Sequence, residues 1–177
     1  MNVLVVYESM FGNTAEVGEA IADSLRSQSL EVESGPIAAV EPSRLAGADL
    51  LVVGAPTHAH GMSSKGTRKA AVQDKRYPAS RPSEPGPGIR DWLQTLPPGA
   101  GRRAAAFDTR IDKPAWSTGS AARGIRRGLE QRGYRLLAPP ESFFVTGEHR
   151  LEPGQIDRAS AWGVTLAERA SASTSSR

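Results

Sequence analysis

Ser9-Met10-Phe11-Gly12-Asn13-Thr14 places two hydroxyls, an amide and a glycine between an apolar run, residues 3–6, and a stretch of helical periodicity. A loop entering a helix presents unpaired backbone N–H groups, and the helix dipole favours an anion there. Gly12 lets the chain turn tightly and lets a ligand approach closely. Ser9, Asn13 and Thr14 add side-chain donors. No lysine stands in the loop, so a triphosphate loop of the GxxxxGK[ST] type is excluded, and GxGxxG is absent too. What remains suits one phosphate monoester held by neutral donors. These are also ordinary turn and cap residues, and the loop alone leaves both readings open.

Two further stretches carry chemistry. Ala55-Pro56-Thr57-His58-Ala59-His60-Gly61 ends an apolar run with two imidazoles in an irregular loop. Either can lie beside a flat ring or hydrogen-bond to its edge; either can also be a plain exposed histidine. Asp108-Thr109-Arg110 follows a third apolar run, with Trp116 beyond it. Arg110 could neutralise negative charge developing on a ring or pair with Asp112. Trp116 could stack on a cofactor or simply pack. Taken together, the three stretches favour a ligand with one phosphate at the first and an aromatic system between the other two. No side chain stands out as acid, base or nucleophile, and His58 and His60 lack the carboxylate neighbours of a metal site.

The elements that must position these residues alternate. Residues 2–7, 30–34, 49–56 and 102–109 read as strands, the first, third and fourth apolar on both faces. Residues 134–147 read as a strand broken at Pro139-Pro140. Helical spacing runs from Thr14 (Val17, Ile21, Leu25), over 41–48, over 88–96 (Ile89, Trp92, Leu93, Leu96), from Ser120 (Ala121, Ile125, Leu129) and from Pro153 (Ile156, Ala159, Leu166). Gly54 and Pro56 are expected to stop the third strand. Strands alternating with helices, apolar on both faces, imply a parallel sheet covered on both sides. In such a sheet ligands bind beyond the carboxyl ends of the strands, at the switch point of strand order. The loops after strands one, three and four are therefore the first, second and third tips of a candidate site.

The chain of 177 residues is expected to form one domain over residues 1–169, with a tail at 170–177 too polar to order. Four prolines in "RYPASRPSEPGPG" make much of 63–88 an exposed, mobile loop, its basic beginning helical. Without cysteine, disulfides and thiol catalysis are excluded. The N-terminus lacks a signal segment and no apolar run could cross a membrane, so a cytoplasmic location is expected. Net charge is +3 with dispersed basic residues and few aromatics, which argues against nucleic acid as a partner.

These residues resemble the flavodoxin family, whose phosphate loop is [ST]-x-[ST]-G-x-T directly after the first strand. Ser9, Gly12 and Thr14 match it, and Phe11 replaces a hydroxyl residue. "SMFGNT" is also similar to the "SMYGH" form of flavodoxin-like NAD(P)H:quinone oxidoreductases, and "GAPTHAHG" to the group's second flavin loop. The resemblance covers nearly the whole chain. It implies a flavodoxin-like, doubly wound α/β fold with a five-stranded parallel sheet of order 2-1-3-4-5, the order for which flavodoxin is itself a standard example. It implies non-covalent FMN, its phosphate on residues 9–14 and its ring flanked by residues 56–61 and 108–110. It implies electron transfer or FMN-dependent oxidoreductase activity, with NAD(P)H or a redox protein as partner. Two departures stand out. Electron-shuttling flavodoxins are strongly acidic, whereas this chain is basic. The third tip lacks the family's glycine-rich, acidic form with a stacking tyrosine, a role that would fall to Trp116, His58 or His60. The competing expectation is a binding or regulatory module of the same fold that has lost FMN. Response-regulator receivers share the strand order, but their acidic positions are here Tyr7-Glu8 and Gly54-Ala55.

Overall fold

The computed structural model describes residues 1–58, 61–78 and 86–172. Six strands are described: β1 (Asn2–Tyr7), β2 (Glu31–Pro36), β3 (Leu50–Pro56), β4 (Arg103–Ile111), β5 (Arg135–Leu136) and β6 (Glu141–Val145). They form one sheet of order β2-β1-β3-β4-β5, and β6 continues alongside β4 beyond β5. Every pairing between these strands is parallel. The interrupted last strand is thus one path in two pieces, split by Pro139 and Pro140, since proline cannot donate to a ladder.

The helices are α1 (Asn13–Ser27), α2 (Pro42–Gly47), α3 (Lys65–Val72), α4 (Ile89–Thr95), α5 (Ala115–Thr118), α6 (Ala121–Gln131) and α7 (Gln155–Ala172). None of the described helices is long and apolar enough to cross a membrane. Alternation along the strands splits the core in two. Leu4, Val6, Leu51, Val53, Ala104 and Ala106 face α2, α4 and α6 through Leu45, Trp92, Ile125 and Leu129. Val3, Val5, Tyr7, Val52, Ala105 and Phe107 face α1 and α7 through Val17, Ile21, Leu25, Trp162 and Leu166. Both faces are apolar because both are covered, which is why these strands read as unbroken hydrophobic runs.

Several boundaries differ from the sequence reading. Gly54 does not stop β3; it lies inside the strand, where a Cβ would sit 2.0 Å from the Phe107 ring. Its missing side chain makes room for the neighbouring strand's largest residue. β4 runs to Ile111, two residues past the expected end at 109, so Arg110 joins Asp108 and Thr109 in the strand and the third tip begins at Asp112. The short helix α5 within that tip carries no periodic signal in so few residues. In the 63–88 stretch, α3 starts on a capping box in which Ser64 and Thr67 each accept the other's backbone N–H, at 3.2 and 2.8 Å. Residues 79–85 and 173–177 lie outside the described residues. α7 runs to Ala172, three residues into the stretch expected to be tail.

Candidate functional site

The carboxyl ends of β1, β3 and β4 bring the three tips to one edge of the sheet. At the first tip, β1 ends at Tyr7 and Gly12 caps α1 with φ +108, in the left-handed range that favours glycine. Gly12 has no side chain with which to cap the helix. Ser9 Oγ accepts the Ala15 N–H at 3.2 Å and Gly12 C=O accepts that of Glu16 at 3.0 Å. Among the described residues nothing accepts from the N–H groups of Phe11, Gly12, Asn13 or Thr14. They are the orphan donors expected of a helix start.

The side-chain donors are committed elsewhere. Thr14 is buried and its hydroxyl is 2.8 Å from that of Thr109, one donating to the other. Asn13 Nδ2 donates to the His149 carbonyl at 2.9 Å. Phe11 stacks on the His149 ring with centroids 4.0 Å apart and planes 5° apart, and meets Tyr77 edge-on at 6.0 Å. The loop after β6 is therefore drawn across the first tip. Arg76 ties that loop to the segment after α3 by donating to the Gly147 carbonyl at 2.9 Å.

At the second tip, Thr57 N–H donates to the Thr109 carbonyl at 2.9 Å, extending the β3–β4 ladder past Pro56. His58 and Gly61 exchange backbone hydrogen bonds of 2.8 and 2.9 Å, closing a tight turn. Ala59 and His60 lie outside the described residues. The His58 imidazole is held below its ordinary pKa by burial first, then by His149 and Arg68 nearby. His149 is likewise lowered, by burial and then Arg76, with Asp74 opposing.

Asp108 is fully buried in β4, and its role is to hold the tips. Its Oδ2 accepts from the Thr57 hydroxyl at 3.0 Å, the Ser120 hydroxyl at 2.7 Å and the Ala122 N–H at 2.9 Å. Thr57 Oγ1 in turn accepts the Ala121 N–H at 2.9 Å. One carboxylate thus fixes the second tip to the start of α6. Arg110 reaches toward β6: its Nε donates to Ser142 Oγ at 3.1 Å, and its guanidinium lies 5.0 Å from the Phe144 ring centre. Trp116 in α5 is 87% exposed.

Two features escaped the sequence reading. Glu8 is only 5% exposed, and its Oε2 accepts from the Ser63 hydroxyl at 2.9 Å and the Ile89 N–H at 2.8 Å. The buried Arg68 donates to Ser63 Oγ at 3.1 Å. Ser63 thus bridges the acid and the base, and joins the first tip to α3 and α4. Glu8 Oε1 and Arg68 Nε are buried without a hydrogen-bond partner among the described residues. Burial, the largest influence, raises the Glu8 pKa against the pull of Ser63, Ile89 and Arg68. A charged residue directly after an apolar strand was the signal for it. The second feature is His149, which lies in the loop after the last strand, beyond the three tips that strand order singled out.

No protein-family model matches the chain, and no curated protein matches it by sequence. Solved structures do. A flavodoxin from the domain Archaea superposes with a TM-score of 0.68 at 19% identity, over 97% of this chain and 99% of that one. The chain has the flavodoxin fold. Oxidised flavodoxin 2 from Bacillus cereus gives 0.68 at 19% identity, over 96% and 99% of the two chains. Rubredoxin oxygen:oxidoreductase from Desulfovibrio gigas gives 0.62 at 18%, with this flavodoxin-like chain covering 36% of that protein. The strand order expected from the sequence is the one observed, with β6 added.

Proposed function

We propose that this flavodoxin-fold protein binds FMN and works in electron transfer. The observation that carries the reading is the first tip: a left-handed Gly12 at the start of α1 and a run of N–H groups from Phe11 to Thr14 with no acceptor among the described residues. Such a cradle fits a phosphate monoester, whose oxygens only accept. Phe11 replaces a hydroxyl, but the donors that fit the phosphate here belong to the backbone. FMN, when bound, supplies the redox chemistry; the protein supplies binding, orientation and electrostatics. Pro56, Thr57, His58 and Gly61 would border the ring on one side, with the third tip on the other. Thr109 steadies Thr14 below the phosphate, and Asp108 holds the second tip in register with α6. A neutral His58 adds no positive charge beside the ring at neutral pH.

The second reading, a binding module without FMN, is favoured by one observation: the hydroxyl of Thr14 and the amide of Asn13 are already engaged, and the Phe11–His149 stack lies over the loop. The absorbance spectrum of the purified protein separates the two. A flavin spectrum, or a rise in melting temperature on adding FMN, supports the first; a colourless protein unmoved by FMN supports the second. If flavin is present, rapid bleaching by NADH or NADPH assigns a reductase, and stability toward both assigns a carrier for a protein partner.

A further inference from the structure

We propose that the α6 edge of the molecule is a docking surface for an acidic protein partner, with Trp116 as its anchor. Two grooves, of about 490 and 540 Å³, adjoin along α6 and the split last strand and share Arg126, Glu130 and Pro139. Six arginines line them: Arg110, Arg123, Arg126, Arg127, Arg135 and Arg169. Among the described residues that line them the one carboxylate is Glu130, paired with Arg126 at 2.9 Å. The edge therefore carries a net +5 against +3 for the whole chain, so the remainder of the molecule is net acidic. The charge is polarised, and the basic pole lies beside the third tip.

Arg123, Arg126 and Arg127 recur at helical spacing on the exposed face of α6, and Arg123 and Arg127 have no carboxylate partner among the described residues. A solvated helix face usually interleaves the two signs evenly; this one sets a single acid, Glu130, against three arginines. At the end of the stripe next to the candidate ring site stands Trp116, 87% exposed, with the half-exposed Ile111 close by in sequence. Arginine and tryptophan are the residue types most enriched where proteins meet, and a bare tryptophan beside a cationic stripe gives both anchor and steering. The arginines come from β4, α6, β5 and α7, so the positive charge is spread over two adjoining grooves rather than gathered at one point. That spread favours a protein surface bearing several carboxylates.

The inference rests on the electron-transfer reading for its purpose, but the binding is separable from it. The test is ¹⁵N–¹H correlation spectroscopy of the full chain, with and without FMN, titrated with a deca-glutamate peptide. The expected result is a set of shifts confined to the Trp116 indole and the amides around 110, 123–127 and 142, abolished by high salt. Arg123→Glu with Arg127→Glu should weaken binding more than tenfold, and Trp116→Ala at least threefold. Shifts centred on the other basic run, Lys65–Arg76, would overturn the proposal, as would equal affinity in all variants. NADP⁺ displacing the peptide from the same amides at lower concentration would overturn it in favour of a nucleotide site. Peptide binding on the α6 edge by a protein that never takes up FMN would leave the docking surface standing and sink only the flavin reading.

Discussion

Phe11→Ala tests how the first tip is held. The Phe11 ring lies parallel to His149 at 4.0 Å and edge-on to Tyr77 at 6.0 Å. Each aromatic pair contributes about 0.5–1.5 kcal/mol beyond the area it buries. Phe11 is only half-buried, so its removal should cost about 2 kcal/mol, below the roughly 3–5 kcal/mol of a core phenylalanine. The informative quantity is the coupling. His149→Ala removes the ring but leaves the carbonyl that accepts from Asn13, so a double-mutant cycle isolates the stack. Urea unfolding of the wild type, both single variants and the double variant should give a coupling of about 0.5–1.5 kcal/mol. The pH dependence gives a second readout. His149 is held below its ordinary 6.5 by burial, so the native state binds less proton than the unfolded chain as pH falls from 6.5 through the lowered value. Stability should fall over that window, and Phe11→Ala, by opening the ring to water, should make the fall shallower. Single-variant effects that add within about 0.3 kcal/mol, with an unchanged His149 titration, would show that the stack does not hold the loop.

Other expectations follow from the buried charges. Glu8→Gln should gain stability relative to the wild type as pH rises from 4.5, because the buried carboxyl keeps its proton above the pH at which the unfolded chain releases it. Urea midpoints measured across that range test this, and a difference constant with pH would refute it. Asp108→Ala leaves the Ala122 N–H and two hydroxyls without their acceptor, so it should cost at least about 2 kcal/mol and loosen the second tip, seen as faster amide exchange at Thr57 and Ala121. Gly54→Ala should destabilise by more than about 1 kcal/mol, because its methyl group meets the Phe107 ring; a neutral effect in thermal melts would mean that the ring can move aside.

Most of the fold was legible because two-sided burial writes itself into β1, β3 and β4 as continuous apolar runs, and the helices keep their periods. The broken last strand announced itself through Pro139-Pro140. Boundaries were less legible. Gly54 looked like punctuation because a glycine's packing reason, here Phe107, lies on a neighbouring strand 53 positions away. Asp108 was read at the end of its strand and as a neighbour of the ring, because the side chains that meet it, Thr57 and Ser120, are not adjacent in sequence. It is tolerated there because three donors converge on its Oδ2. The first tip was found as a loop, but the engagement of Thr14 and Asn13 was not, since their partners Thr109 and His149 are distant in sequence. Glu8 and Arg68 were invisible as a pair for the same reason: a serine 55 residues on joins them.

The central claim, a phosphate held by the backbone at Gly12, is tested most directly by comparing FMN with riboflavin, which lacks only that phosphate. Flavin fluorescence quenching, titrated into the wild type and into Gly12→Val, gives the four affinities. FMN should bind at least about a hundredfold tighter than riboflavin, as two charge-assisted hydrogen bonds would provide. Gly12→Val, placing a β-branched residue at φ +108, should bring the two ligands to the same weak affinity. Equal affinities in the wild type, or an FMN preference untouched by Gly12→Val, would contradict it.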